Sequence, residues 1–179
     1  ALVRMVPAGG KITDGRILFH GEDLLAKSEA ELQRIRGRRI AMVFQDPAAS
    51  LNPVFTAGEQ VVRMVRQHTS LSPQEAASHA LAMFEAVALP EPRQIFRSYP
   101  HELSGGMQQR IMIAMALSCG AELLIADEPT TALDVTIQAQ ILALLADIRQ
   151  RQGISILLIT HNLGVVAETC DRVAVAYAG

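Results

Sequence analysis

The chain has 179 residues, half of them hydrophobic, with 4% aromatics, no Trp and a formal net charge of −2. That is enough for one aliphatic core of ordinary size, and the lack of a basic field argues against a nucleic-acid partner. No apolar run approaches the roughly 18–20 residues that cross a bilayer.

The start, Ala1-Leu2-Val3-Arg4-Met5-Val6-Pro7, has no initiator Met and no signal-peptide order of charge, apolar run and cleavage site. It reads as the tail of a helix already in progress. Arg16-Ile17-Leu18-Phe19-His20, bracketed by Gly15 and Gly21, predicts a short strand. Arg39-Ile40-Ala41-Met42-Val43-Phe44 predicts a second, stopped by Asp46-Pro47.

From Thr56 to Arg97 the periodicity is helical, with Val61, Val62, Met64 and Val65, then Ala80, Leu81, Met83, Phe84 and Val87. Ser72-Pro73-Gln74-Glu75 is a helix start, with a capping Ser, Pro at the first position and Glu three residues after the cap. A helix from about Met107 to Cys119 then leads to the strand Leu123-Leu124-Ile125-Ala126. A long helix from about Val135 to Gln150 leads to a strand over Ile154–Thr160. A short helix, Val165–Thr169, leads to a last strand at Val173-Ala174-Val175, after which the chain stops, so that it reads as cut at both ends. Aliphatic strands alternating with helices predict a parallel sheet covered on both faces, with ligands beyond the carboxyl ends of the strands. Cys119 and Cys170, far apart in apolar surroundings, predict buried free thiols in a reducing cytosol.

Chemistry is therefore sought at strand ends. Asp127-Glu128 follows the strand Leu123–Ala126 directly. Adjacent carboxylates there repel each other and are desolvated unless a cation shares the space. Asp127 can hold Mg²⁺, and Glu128 can orient a water or take its proton. Leu103-Ser104-Gly105-Gly106-Met107-Gln108-Gln109-Arg110 is a loop entering a helix, where the Ser104 hydroxyl can cap and two glycines let N–H groups approach an anion. His161 follows its strand as Asp127 follows its own, and Gln45 ends Ala41-Met42-Val43-Phe44.

Together these segments resemble the ABC ATPase family. Val43-Phe44-Gln45-Asp46-Pro47 looks like the Q-loop, Leu103 to Gln109 like the signature motif and Ile125 to Pro129 like Walker B with its catalytic Glu. Ala132-Leu133-Asp134 looks like the D-loop and Thr160-His161 like the switch histidine. The resemblance implies an α/β fold, a RecA-like P-loop NTPase core with an inserted helical subdomain. It divides the chain into a partial core over 1–45, a helical subdomain over 46–102 and the continued core over 103–179.

The same resemblance implies ATP and Mg²⁺ as cofactors. Glu128, His161 and Gln45 are the implied catalytic residues, and Asp127 and Gln45 the implied metal ligands. Ser104, Gly105, Gly106, Gln108 and Asp134 are the implied nucleotide contacts, with Ser104, Gly105 and Gly106 reaching the γ-phosphate of ATP held by a partner domain. The implied partners are a second ABC ATPase domain, transmembrane permease subunits and an extracytoplasmic substrate-binding protein, at the cytoplasmic face of the inner membrane. Phe44-Gln45-Asp46-Pro47, Ser50-Leu51-Asn52-Pro53 and Tyr99-Pro100-His101-Glu102-Leu103-Ser104 are similar to the oligopeptide, dipeptide and nickel importer branch, as is Asp127-Glu128-Pro129-Thr130-Thr131-Ala132-Leu133-Asp134-Val135.

Two departures stand out. The phosphate-binding loop G-x-x-x-x-G-K-[ST] is missing: around Gly9-Gly10-Lys11, Met5 stands for the first Gly and Ile12 for Ser or Thr. The segment is expected to be a turn, and the isolated chain to bind ATP very weakly without turnover. Asn162 stands where this branch usually carries Asp, which bears on the orientation of His161. Other readings are a soluble ABC ATPase of DNA repair, chromosome organisation or translation, and a non-catalytic remnant. The repair and chromosome proteins split their motifs with long coiled coils, whereas Gln45 and Ser104 are only 59 positions apart (104 − 45).

Overall fold

The structure is a computed structural model that describes residues 2–6, 9–131 and 133–177. Its centre is a parallel sheet of β3 (Ile40–Val43), β4 (Leu123–Asp127) and β5 (Ser155–Ile159), in that order. The register pairs Val43 with Ala126 and Asp127 with Ile159, so all three strands end level at one edge. Before the sheet comes a small antiparallel hairpin of β1 (Leu18–Phe19) and β2 (Glu22–Asp23), then α1 (Glu29–Ile35).

Between β3 and α6 (Gly105–Leu117) the chain is helical: α2 (Pro47–Ser50), α3 (Ala57–His68), α4 (Pro73–Ala86), α5 (Pro92–Ile95) and a 3₁₀ turn at Pro100–Glu102. Thr56 and Glu59 form a capping box at α3, and Ser72 and Glu75 form the expected one at α4, with Pro73 at its first position. The α3 N-terminus is tied to the segment that leads to Ser104. Ala57 and Gly58 donate to the carbonyls of Ser98 and Phe96 at 2.9 and 3.0 Å. The Phe96 ring lies where a side chain on Gly58 would be, 2.4 Å from an ideal Cβ.

Strand alternation sorts side chains to two cores. Ala41, Val43, Leu124 and Ile156 face the larger one, filled by Val61, Val65, Phe84, Ile111, Ile113 and Ile141. Ile40 and Ile125, with partly buried Met42 and Leu123, face the smaller one, beneath Leu32 and Ile35 of α1 and Leu24. Arg110 fastens α6 to its neighbours, donating to the Val87 carbonyl at 2.7 Å and to the Gln140 side chain of α7 (Val135–Gln152) at 3.2 Å.

Several expectations are corrected. The sheet is covered on both faces at β3 and β4, but not at β5, where Leu157 and Ile159 are 39% and 43% exposed on the smaller-core side. Val173-Ala174-Val175 forms no strand: Val175 is 88% exposed and has no neighbouring strand to pair with among the described residues. Leu2–Val6 is turn and coil rather than the end of a helix, with Leu2 and Val3 packed on the smaller core; Ala1 and Pro7 lie outside the described residues. Cys119 and Cys170 are free but half-buried. Burial pushes the Cys119 thiol up, which keeps it protonated and unreactive. No helix among the described residues is long and apolar enough to cross a membrane.

Candidate active site

The level ends of three parallel strands bring together side chains that are remote in sequence. Gln45 lies two residues past β3, Glu128 one past β4 and His161 two past β5. Their geometry centres on the Glu128 carboxylate. Oε2 accepts from Gln45 Nε2 at 3.0 Å and from the Thr131 hydroxyl at 2.8 Å. Oε1 pairs with His161 Nδ1 at 2.9 Å. An ionised carboxylate only accepts, so this bond places an imidazole proton on Nδ1 and leaves Nε2 facing outward. The His161 hydrogen bond, then that of Thr131, holds the Glu128 carboxyl below the usual carboxylate range.

The backbone at Glu128 is in the left-handed region, with φ 45°, which costs a non-glycine residue about 1–3 kcal/mol. Two bonds hold it there. The Glu128 N–H donates to the Ile159 carbonyl at 2.9 Å, extending the β4–β5 ladder by one step, and the Thr131 N–H closes the turn onto the Glu128 carbonyl at 3.1 Å. The chain thus reverses sharply after β4 and lifts the carboxylate to the sheet edge.

Asp127 ends β4, half-buried, and makes no side-chain hydrogen bond among the described residues. No cluster of three or more His, Cys, Asp or Glu suited to a metal occurs among those residues. Mg²⁺ is usually held by one or two carboxylates together with waters and substrate phosphates. A single unengaged Asp beside the Glu128 turn fits that donor set. Gln45, expected as a second metal ligand, has its amide nitrogen on Glu128.

The anion-type site lies at the start of α6. Ser104 caps this 13-residue helix, accepting from the Met107 N–H at 3.4 Å. Gly105 is exposed. Gly106 is buried, and a Cβ there would meet Ile137 of α7 at 2.8 Å, so glycine lets the two helices close together. Gln108, expected at nucleotide, turns its amide back and donates to the carbonyls of Pro100 and Leu103 at 2.7 and 3.1 Å. Asp134 caps α7, accepting from the Ile137 N–H at 3.0 Å. Leu133 packs beside Gly105, while Ala132 lies outside the described residues. None of these groups hydrogen-bonds the Glu128 cluster.

Asn162 does not disturb its neighbour. Its side-chain oxygen caps α8 (Leu163–Thr169), accepting from Gly164 and Val165 at 3.0 and 3.4 Å, as a carboxylate would, while His161 keeps its bond to Glu128. Gly9-Gly10-Lys11 opens no helix: the chain from Gly9 to Ile17 is turn and coil. Thr131 is the site residue that sequence reasoning missed. Its only signal is a hydroxyl three residues after Glu128, a spacing that a tight turn can close.

The family model "ABC transporter" matches residues 1–131. A probable peptide ABC transporter ATP-binding protein of Sinorhizobium fredii is 53% identical over 180 residues, covering 100% of this chain and 54% of that protein. The dipeptide transport ATP-binding protein DppD of Bacillus subtilis is 53% identical over 173 residues, 97% of this chain and 52% of that protein. The chain therefore spans about half the length of the curated relatives it matches. Among solved structures, the ATP-binding cassette MJ0796, a dimer in a post-hydrolysis state bound to ADP and Pi, superposes with a TM-score of 0.76 at 30% identity over 91% of this chain and 69% of that one. From the strand-end cluster, the capped α6 and these matches, the chain belongs to the ABC transporter family and carries its α/β, RecA-like ATPase fold.

Proposed function

We propose that this chain is part of an ATP-hydrolysing subunit that powers an importer of peptides, with nickel import as the narrower alternative within the same branch. The observation that carries the reading is the Glu128 carboxylate, held by Gln45, Thr131 and His161 at the ends of adjacent strands. The similarity to peptide and dipeptide transport ATP-binding proteins supports the choice of cargo class.

In this reading Glu128 orients the attacking water and takes up its proton as the bond to the γ-phosphorus forms. His161 stays fixed through Nδ1, so that its outer edge meets the γ-phosphate side of the site. Asp127, with Gln45 when its side chain swings away from Glu128, would hold Mg²⁺, which would supply neutralisation of the phosphate charge. Ser104, Gly105 and Gly106 serve the ATP of a second such domain through the free N–H groups and positive end of α6. Gln108 and Asp134 act one step away, holding the loop before Ser104 and the start of α7.

The division into core over 1–45, helical subdomain over 46–102 and core over 103–179 assigns the helical part to coupling with permease subunits. A pair of these domains, permease subunits and an extracytoplasmic substrate-binding protein would make up the transporter, with the ATPase peripheral on the cytoplasmic face of the membrane. The test is Mg²⁺-dependent ATP turnover by the full-length gene product that contains this chain. Turnover that is lost in Glu128→Gln supports the reading; turnover unchanged by that substitution overturns it.

A further inference from the structure

We propose that Thr131 is a positioning residue for ATP hydrolysis, fixing one oxygen of Glu128 so that the other is presented to the attacking water. The proposal rests on Glu128 being the carboxylate that orients that water. Three donors meet Glu128, and they differ in kind. Gln45 and His161 reach it from the turns after two other strands, through side chains of their own. The His161 side chain is 77% exposed, so water competes for its bond. Thr131 is half-buried, and its hydroxyl sits 2.8 Å from Oε2 in the same turn that its own N–H closes onto the Glu128 carbonyl at 3.1 Å. That bond is local. It persists when Gln45 swings away from Glu128, and the β-branched side chain that makes it has few χ1 options.

The distribution of donors decides which oxygen works. Oε2 accepts two bonds, from Gln45 and Thr131, and each carboxylate oxygen offers about two lone-pair positions. Oε1 accepts one bond, from His161, and keeps a position for water. Without the Thr131 hydroxyl, Oε2 keeps only the bond from Gln45, and when Gln45 swings away the carboxylate can rotate and exchange its two oxygens. His161 is the titratable group bonded to this carboxylate, and Asp127 precedes it in the chain; Gln45 and Thr131 carry no charge.

The experiment compares kcat and KM for ATP for the full-length protein and its Thr131→Val, Thr131→Ser and Glu128→Gln forms. Thr131→Val is expected to lower kcat by roughly ten- to a hundredfold with KM for ATP unchanged, the upper end being what a misplacement of about 1 Å costs. Thr131→Ser restores kcat. If the Val form does not melt cooperatively, Thr131→Ala, which also lacks the hydroxyl, is read in its place. A wild-type kcat in Thr131→Val, beside an inactive Glu128→Gln, overturns this proposal alone. So does a Ser form as impaired as the Val form, since packing of the methyl group would then be what matters. Unchanged turnover in Glu128→Gln overturns the functional reading and this proposal with it.

Discussion

His161 Nδ1 stands 2.9 Å from Glu128 Oε1, joining the turn after β5 to the turn after β4 across the carboxyl edge of the sheet. Together with the Glu128 N–H bond to the Ile159 carbonyl, it makes the turn after β4 an extension of the β4–β5 ladder. The site is thus held by the same strand pairing that forms the core, and its protonation is coupled to folding.

That coupling has a sign. The Glu128 carboxyl is held below its usual value, chiefly by His161 and then by Thr131. A depressed folded-state value stabilises the native state at pH above the unfolded glutamate value of about 4.3, and the contribution disappears as pH falls through the lower folded value. Thermal melts at stepped pH, wild type beside Glu128→Gln, should show the wild type losing Tm relative to the variant as pH drops below about 5. Parallel curves over that range would mean that the His161 and Thr131 bonds do not persist in solution.

Gly58 is expected to tolerate no side chain, because the Phe96 ring lies 2.4 Å from where its Cβ would be. Gly58→Ala should destabilise by about 1–3 kcal/mol through overpacking, outweighing the gain in helix propensity of about 1 kcal/mol. Urea denaturation measures this. Adding Phe96→Leu should make the pair less destabilised than the sum of the single changes, since the two residues share one contact.

Gln108 is expected to matter through the loop that it holds. Gln108→Leu removes the donors to the Pro100 and Leu103 carbonyls and should cost about 1–2 kcal/mol. Faster hydrogen exchange at the Leu103 N–H, which donates to Pro100 at 3.1 Å, would locate the loosening before Ser104. Unchanged exchange there would place the role of Gln108 elsewhere.

Residues 1–179 as an isolated polypeptide are expected to show no measurable Mg²⁺-ATP turnover. Gly9-Gly10-Lys11 is followed by coil rather than by a helix whose N-terminus could receive phosphates. A steady-state assay with the isolated chain tests this, and turnover that disappears in Glu128→Gln would refute it.

The residues gathered at the sheet edge were legible in the sequence because strand ends are local events. Continuous aliphatic runs stop at Phe44, Ala126 and Thr160, and Gln45, Asp127-Glu128 and His161 follow them directly. The α4 cap at Ser72 was legible for the same reason, since a capping box closes within three residues. Val173–Val175 reads as a strand by composition alone, but a strand needs a neighbour to pair with, and none lies beside it among the described residues.

Tertiary structure decided which atoms meet. The amide of Gln108 bonds backbone carbonyls because the 3₁₀ turn folds back over α6, and Gly106 is required because α7 lies against it. The Thr131 hydroxyl reaches Glu128 only because the backbone after β4 takes a left-handed step, a conformation that no residue preference at Glu128 predicts. Residue types and their spacing thus determined where chemistry could occur, while the level register of β3, β4 and β5 decided that Gln45, Glu128 and His161 share one carboxylate. Periodicity reports which way a side chain points; only packing between remote segments sets the distance between two of them.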